Sequence, residues 1–396
     1  MRNIVIQRYR AAFQQDPMLV RAPGRINLIG EHTDYNEGWV LPAAIDKYLW
    51  FAMGLSDEPD IFHVLATDAG EQLILRRQDD IAPAGSSWQD YVKAILLELN
   101  KRGYPVKAIR AVFGGDIPMG AGLSSSAALC CGLIYGISLL HDFQIKRMEI
   151  ALIAQAAEHR VGLNCGLMDQ YAVLFGEHDK VLCLDCKTLD FQRFPLELGV
   201  YSLVLINSNI KHELAAGSGY NDRRQSCERV VSAVRQKYPE VRSLRDVSAP
   251  VLESFRTHLS EVDYRRAAYV LAENERVLKT VEALQRNDLR EVGRILYRAH
   301  EGMRTEYEIT VPELDLLVDL AKAERGVAGA RMVGGGFGGC TINLIETAEK
   351  EAALGRITGI YRQKTGIRPD VIEVSTGDGV QEEVVSKDNV KQSLPN

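Results

Sequence analysis

A glycine-rich segment followed by three serines carries the chemistry that is easiest to interpret from sequence. It reads GGDIPMGAGLSSSAAL over residues 114–129, and Ser124, Ser125 and Ser126 stand where a helix is expected to begin. Glycines at this density permit left-handed backbone and the close approach of a ligand. Such a junction directs free N–H groups and the positive end of a helix dipole at one point. It predicts an anion site suited to phosphate, where a serine hydroxyl could also bind Mg²⁺; the alternative is a capped helix after a flexible loop.

A second glycine cluster, GGGFGG at residues 334–339, differs from the first in the type of element that comes after it. Its spacing matches the GxGxxG dinucleotide pattern, but it leads into CTINLI, which has the pattern of a strand and not of a helix. The sequence also contains no GxxxxGK[ST] motif. We therefore interpret this cluster as a tight turn that lets another loop, or the phosphates, come close.

Charged side chains are concentrated between glycines in a segment near the N-terminus, residues 22–46. Its charged and polar members include Arg25, Glu31, His32, Asp34 and Tyr35. Because each buried polar group must find a partner, such a set could bind several hydroxyls of a sugar. A surface hairpin with solvated charges is the alternative.

A single acid, Asp169, lies among apolar residues in GLNCGLMDQYAVLFGE, residues 162–177. An aspartate in this setting is either a helix cap or an acid with a chemical role. Spacing alone leaves both interpretations open.

The elements that must position these motifs mix strands and helices in both halves of the chain. Period-2 patterns predict strands at residues 18–25, 49–55, 61–66, 72–76, 109–113, 181–184 and 201–208. Helical periodicity predicts helices at residues 90–99, 124–141, 146–160, 222–238, 263–284, 288–304, 311–325 and 348–365. Strands at residues 340–345 and 371–375 are predicted to pair, and the polar tail after Gly379 to fray. The absence of a regular βαβα alternation favours the α+β class.

Length and composition describe a globular chain of more than one domain. At roughly 150 residues per domain, 396 residues suggest two or three, and we place the boundary near residue 200, giving domains at residues 1–200 and 201–396. With 46% hydrophobic and 25% charged residues, the composition excludes collagen, an extended disordered chain and a small disulfide scaffold. A net charge of −6 disfavours nucleic-acid binding but allows a local anion site.

Cysteine usage and hydropathy predict a cytosolic chain that does not enter a membrane. Seven scattered cysteines, an odd number, are typical of reduced core thiols, and the CxxC of Cys183 and Cys186 lacks the partners of a zinc site. The longest apolar run, residues 127–140, is too short to span a bilayer, and the N-terminus lacks the apolar core of a signal peptide.

Taken together, the motifs resemble those of galactokinases, a branch of the GHMP kinase family. GRINLIGEHTDY from Gly24 is similar to the galactokinase signature, PMGAGLSSSA from Pro118 to the family's phosphate-binding motif, and GGGFGGC from Gly334 to its third motif. Further similar strings are CGLMDQ at residues 165–170, SGYNDRRQSCE at 218–228 and VPELDLLV at 311–318. The resemblance implies a two-domain α+β fold with mixed sheets and with the active site in the cleft between the domains.

The resemblance also implies individual roles. Asp169 would be the catalytic carboxylate beside the anomeric hydroxyl of the sugar, with Arg25 close to it and to the transferred phosphate. The residues implied in binding the other sugar hydroxyls are Glu31, His32, Asp34, the Gly166 backbone and Tyr220. Those implied in binding the ATP phosphates are Gly120, Gly122, Leu123, Ser124, Ser125 and Ser126.

Two further positions are assigned by the resemblance. Ser126 and Glu158 would bind Mg²⁺, although the segment between Glu158 and Asp169 is about one residue shorter than is usual in the family. Trp88 would stack on the adenine of ATP; its alternative role is that of a core aromatic at the start of a helix.

The implied activity is ATP-dependent phosphorylation of D-galactose at O1, giving galactose 1-phosphate and ADP, the first committed step of galactose catabolism. Galactose and MgATP would bind to a cytoplasmic monomer. One alternative is a kinase of the same fold acting on another small molecule, such as N-acetylgalactosamine, arabinose or an isoprenoid precursor. The other is a non-enzymatic galactose sensor, which the intact serine run at residues 124–126, with Arg25 and Asp169, disfavours.

Overall fold

The secondary structure is known over residues 1–76, 81–118, 120–210 and 218–385, the ranges that a computed structural model describes. The helices are α1 (Arg2–Phe13), α2 (Trp88–Lys101), α3 (Ser125–Leu140), α4 (Arg147–Arg160), α5 (Met168–Phe175), α6 (Ser218–Arg235), α7 (Ala249–Ser254), α8 (Glu261–Gln285), α9 (Leu289–Gly302), α10 (Pro312–Ala323) and α11 (Lys350–Thr365). The strands are β1 (Met18–Asn27), β2 (Trp39–Val40), β3 (Pro42–Leu55), β4 (Ile61–Ala66), β5 (Glu71–Arg76), β6 (Ile109–Gly115), β7 (Lys180–Asp185), β8 (Phe191–Pro195), β9 (Tyr201–Asn207), β10 (Val327–Met332), β11 (Cys340–Glu346), β12 (Asp370–Val374) and β13 (Gln381–Glu383). The mixture confirms the predicted α+β class.

The strands form three sheets, and the largest one supports the glycine-serine segment. Its order is β13-β1-β3-β6-β4-β5, with β4 and β6 parallel and the other neighbours antiparallel. The other sheets have the orders β10-β11-β9-β12 and β2-β7-β8. Helix α3 packs on β1 and β3, and it comes so close that a Cβ at Gly132 would overlap the Phe51 ring. This packing fixes the start of α3 relative to β1.

One large apolar core runs through both halves of the chain. It includes Val20 and Leu133 from the first half and Leu296 and Met332 from the second, all 1% exposed or less. The C-terminal strand β13 also returns to the first half and pairs with β1. One of the three sheets therefore crosses the proposed boundary near residue 200, and the division into domains at residues 1–200 and 201–396 stays a prediction.

Three details of the predicted secondary structure are wrong. The tail after Gly379 does not simply fray, because β13 gains backbone hydrogen bonds from β1 and Val380 is fully buried beside it. Strands β11 and β12 do not pair with each other, since each pairs with β9. Helix α6 begins at Ser218 and not at residue 222, so Gly219 lies inside its first turn.

The cysteines agree with the expectation drawn from their number and spacing. Each of the seven cysteines is a free thiol. Burial raises the pKa of Cys183, in β7, to about 11, so this thiol stays protonated near neutral pH. None of the helices in the described ranges is long and apolar enough to cross a membrane.

Candidate active site

An ion pair joins two parts of the chain that lie 144 residues apart. Arg25 is in β1, and Asp169 is in the first turn of α5. The Arg25 Nε donates to Asp169 Oδ1 at 2.7 Å, and its Nη2 donates to Oδ2 at 2.9 Å. Burial acts to lower the pKa of Arg25, but the carboxylates around it, Asp169 above all, together outweigh burial and raise the pKa. This guanidinium therefore keeps its charge in a nearly closed site.

The same arginine contacts the phosphate loop, which we define as residues 114–124. Arg25 Nη1 donates to the carbonyl of Gly122 at 2.5 Å, and its backbone N–H donates to the carbonyl of Leu123 at 3.1 Å. Ser124 precedes α3 with φ of 57° and makes no side-chain cap; its hydroxyl donates instead to Asp169 Oδ2. Asp169 is therefore held from both sides, by Arg25 and by the loop.

The described part of the phosphate loop has the backbone that its glycines predicted. Gly120 has φ of +70° and Gly122 has φ of +76°, in the left-handed region. The loop packs against the glycine turn, residues 334–339, which joins β10 to β11. A Cβ at Gly122 would lie 3.0 Å from Val333 O, and one at Gly334 would lie 3.0 Å from Gly122 O. The glycine turn is thus the tight turn beside another loop that the sequence predicted.

Ser126 and Glu158 meet at the start of α3. Glu158 is 1% exposed, and its carboxylate accepts hydrogen bonds from Ser126 and from Gln170 Nε2. Burial raises the pKa of Glu158 to about 7 against the hydrogen bond from Ser126. Hydroxyl and carboxylate oxygens are the ligands that Mg²⁺ prefers, usually one or two from the protein with water and phosphate completing the shell. This pair therefore fits the metal role that the resemblance implied, despite the shorter spacing to Asp169.

Asp34 and Gly166 face each other at the other end of the site. Asp34 opens a short turn of 3-10 helix, and a Cβ at Gly166 would overlap Asp34 Oδ2, so only glycine fits there. Burial, followed by the charge of Asp169, raises the pKa of Asp34 to about 7, while Arg25 acts to lower it. A pocket of about 150 Å³ beside this pair is lined also by His159 and Arg224.

An aromatic group surrounds His32, whose φ of 63° is rare for a residue with a side chain. Its ring lies 4.9 Å from the ring of Tyr220 in α6, and its Nδ1 is 2.6 Å from the hydroxyl of Tyr35. Tyr307, fully buried, ends a π-helical turn and its hydroxyl lies 2.8 Å from that of Tyr35. The fold thus gathers His32 and Tyr220 from distant segments, as the predicted sugar site requires.

Glu31 has the most buried side chain among the predicted sugar-binding residues, at 1% exposed. Its Oε1 accepts hydrogen bonds from Arg331 and from the N–H of Gly334, and its Oε2 accepts one from Asn27 at 2.7 Å. Sequence analysis missed Arg331 and also Tyr307. The sequence contains a signal for Arg331. An arginine inside an apolar strand just before a glycine cluster is expected to be buried and therefore to need a partner.

Trp88 is the first residue of α2 and half-buried. Its Nε1 donates to Glu71 Oε2 at 2.8 Å, and its ring meets Phe113 edge-on at 5.3 Å between centroids. These contacts agree with a packing role for Trp88. The stacking of Trp88 on adenine stays a prediction.

The class of protein follows from the fold. Residues 90–177 match the GHMP kinases N terminal domain, and residues 280–361 match the GHMP kinases C terminal region. A crystal structure of mevalonate kinase has the same fold, with a TM-score of 0.65 at 17% identity over 91% of this chain and 99% of that one. The chain has the GHMP kinase fold.

Closer relatives define the family. Residues 7–55 match the galactokinase galactose-binding signature. Galactokinase of Thermotoga maritima is 41% identical over 369 residues, which cover 92% of this chain and 99% of the relative. Galactokinase of Glaesserella parasuis is 39% identical over 371 residues, which cover 91% of this chain and 94% of that relative. The crystal structure of Lactococcus lactis galactokinase complexed with galactose has a TM-score of 0.90 at 30% identity and covers 96% of this chain and 98% of its own. The chain belongs to the galactokinase family.

Proposed function

We propose that this chain transfers the γ-phosphoryl group of ATP to O1 of D-galactose, giving galactose 1-phosphate and ADP, the first committed step of galactose catabolism. The observation that carries the proposal is the Arg25–Asp169 ion pair, which lies against the phosphate loop on one side and near Asp34 on the other. A sugar hydroxyl beside Asp169 would therefore meet a phosphoryl group beside Gly122. Family membership supports the same reaction.

In the proposed mechanism, Asp169 orients the O1 hydroxyl and accepts its proton. Its two oxygens already accept hydrogen bonds from Arg25 and Ser124, so its position is fixed before substrate binds. General base catalysis contributes ~10²–10⁴-fold. A loose transition state for phosphoryl transfer needs little early deprotonation of the nucleophile, and its charge lies on the phosphoryl oxygens. Arg25, a buried cation, stabilises that charge, and we expect its contribution to be at least as large as the proton transfer.

The phosphate loop and the start of α3 supply the ATP site in this proposal. Backbone N–H groups from Gly120 to Ser126 and the positive end of the α3 dipole bind the phosphates, and Trp88 stacks on adenine. Ser126 and Glu158 would hold Mg²⁺. Bound there, the ion would neutralise charge on the nucleotide phosphates.

Galactose binds at the opposite end of the site. The hydroxyls other than O1 are bound by Glu31, His32, Asp34, the Gly166 backbone and Tyr220. Charged acceptors give directional hydrogen bonds, and a site that pairs each hydroxyl rejects an analogue that lacks one, often by ~10⁴-fold. The protein acts as a cytoplasmic monomer that binds neither nucleic acid nor membrane, with the active site between domains at residues 1–200 and 201–396.

The test is a coupled assay of ADP release with galactose, N-acetylgalactosamine, arabinose and glucose, with kcat/KM measured for each sugar. We expect galactose to be the best substrate by at least tenfold, with phosphorus NMR of the product identifying an anomeric phosphate. A higher kcat/KM for another sugar would assign the chain to that substrate. Galactose binding without ADP release would identify a sensor, and the Asp169→Asn variant supplies the background rate.

A further inference from the structure

Arg331, in β10, is fully buried and uses every N–H of its guanidinium. Nε donates to the carbonyl of Leu28 at 2.9 Å. Nη1 donates to Glu31 Oε1 at 3.2 Å and to the carbonyl of Met332 at 2.7 Å. Nη2 donates to Glu31 Oε1 at 3.1 Å and to the carbonyl of Asn27. Three of these acceptors belong to the sugar segment, residues 27–39, about 300 residues away in the chain. A buried cation with five satisfied donors holds that segment in one position.

The carboxylate that pairs with Arg331 also reaches the glycine turn. Glu31 Oε1 accepts the N–H of Gly334 at 2.8 Å, and the turn contacts Gly122 of the phosphate loop. The contacts therefore run without interruption from Arg331 through Glu31 and Gly334 to Gly122. The first two steps are hydrogen bonds, and at the last step the backbones come so close that a Cβ at Gly334 would lie 3.0 Å from Gly122 O. We therefore expect a shift of Arg331 to be passed along this chain of contacts.

We propose that Arg331 is a positioning residue that sets the sugar segment and the phosphate loop relative to each other, so that O1 and the transferred phosphoryl group are in line. The inference rests on the proposed function. Arg331 contacts one predicted sugar residue, Glu31, but not Asp34, Tyr220 or the phosphate loop itself. The inference predicts that a change at Arg331 nevertheless weakens the use of both substrates, ATP as well as galactose. A purely structural ion pair would lower stability and leave both KM values unchanged.

A second buried ion pair provides the matched control. Glu273 of α8 is fully buried, pairs with Arg276, and accepts the N–H of Gly30 at 2.9 Å. It therefore holds the same sugar segment through a charge, but its hydrogen bonds lead to Gly30 and not to the glycine turn. Glu273→Gln keeps the shape of the side chain and removes its charge. The variant therefore shows the effect of loosening the sugar segment without a change at the glycine turn.

Arg331→Lys is the main test, because lysine keeps the charge but has three donors for an arrangement that uses five. We measure KM for galactose, KM for ATP and kcat by the coupled assay, and the melting temperature in parallel. The expected result is that kcat/KM falls on the order of 10- to 100-fold for both substrates. Glu273→Gln should lower the melting temperature and leave KM for ATP within about twofold.

Several outcomes overturn the inference. Arg331→Lys with both KM values unchanged shows a structural role only, and a change in KM for galactose alone shows that the contact through Gly334 does not matter. If the Arg331 variant does not fold, Glu31→Gln is measured instead. An unchanged KM for ATP there contradicts the proposal, because Glu31 is the group that joins Arg331 to the N–H of Gly334. Absence of galactose phosphorylation by the unmodified protein would refute the proposed function, a result distinct from all of these.

Discussion

The two ends of the active site are built in different ways. The sugar segment consists of charged and aromatic side chains that are fixed by buried groups from the second half of the chain, among them Arg331, Glu273 and Tyr307. The phosphate loop consists of glycines with left-handed backbone, held by Arg25 and by a turn that is itself glycine-rich. A neutral sugar needs several directional acceptors, whereas a phosphate can be bound by backbone N–H groups. The first arrangement depends on tertiary packing and the second mainly on local backbone.

The largest effect is expected where the two ends meet. Asp169→Ala should lower kcat by ~10²–10⁴-fold, because it removes the base and the partner of Arg25. Binding of a non-hydrolysable ATP analogue, measured by calorimetry, should survive, since the proposed phosphate ligands are backbone N–H groups and not this carboxylate. A kcat above about a tenth of the original would contradict the assignment of Asp169 as base. Asp169→Asn, which keeps the shape, separates loss of charge from loss of packing.

A change in the phosphate loop should affect nucleotide binding more than sugar binding. Gly122→Ala places a Cβ 3.0 Å from Val333 O at φ of +76°, and left-handed backbone costs a residue with a side chain about 1–3 kcal/mol. We expect KM for ATP to rise about tenfold or more, with a smaller rise in the dissociation constant for galactose, because Gly122 adjoins the glycine turn that binds Glu31. Gly366→Ala is the matched control, because Gly366 has φ of +75° with nothing within 4 Å of a Cβ. Equal effects of the two variants on KM for ATP would mean that strain alone is responsible.

On the sugar side, Asp34→Asn should stabilise the folded protein above neutral pH and at the same time weaken galactose binding. The pKa of Asp34 is about 7 in the folded protein and its ordinary value is 3.8, so between these values the folded state binds more protons than the unfolded state. The free energy of unfolding of the free protein should therefore fall as pH rises from about 4 to about 7 and level off above that, by about 1.4 kcal/mol per unit of pKa difference.

Asp34→Asn should reduce this fall and leave the part that is caused by Glu158, whose pKa is also about 7. The variant should be more stable at pH 8 and bind galactose about tenfold more weakly, because a charged acceptor is lost. Urea unfolding from pH 5 to 8 and calorimetry with galactose measure the two effects. The same pH slope in both proteins would show that other groups cause it.

The smallest effect is expected at Trp88. Trp88→Leu should raise KM for ATP about fivefold, corresponding to ~1 kcal/mol of stacking between a base and an aromatic ring. Glu71→Gln weakens the hydrogen bonds that Glu71 accepts from the Trp88 indole and from Gln89, and it should leave KM for ATP unchanged. If Trp88→Leu lowers the melting temperature without changing KM for ATP, then Trp88 acts only by packing against Phe113 and not by stacking on adenine.

Much of the fold could be predicted because local pattern decides it. The alternation in residues 61–66 predicted β4 with the bounds that the structure has, and the predicted helix at residues 146–160 differs from α4 by one residue. β8 and β13 were missed, because their residues are polar or half-exposed and they become strands only by pairing with β7 and β1. An edge strand gains backbone hydrogen bonds from its neighbour and needs no apolar face of its own.

The sequence by itself determined the chemistry that is local: the glycines that let the phosphate loop turn, the serines at the start of α3, and the charged set from Arg25 to Asp34. Only the tertiary structure decided which distant groups complete the site. The Arg25–Asp169 ion pair joins residues 144 apart and Arg331 meets Glu31 300 residues away, and no periodicity encodes such separations. The physical reason is burial. Once the core closes, each charge left inside must find an opposite charge or a hydrogen bond, and the packing of the whole chain decides which one it meets.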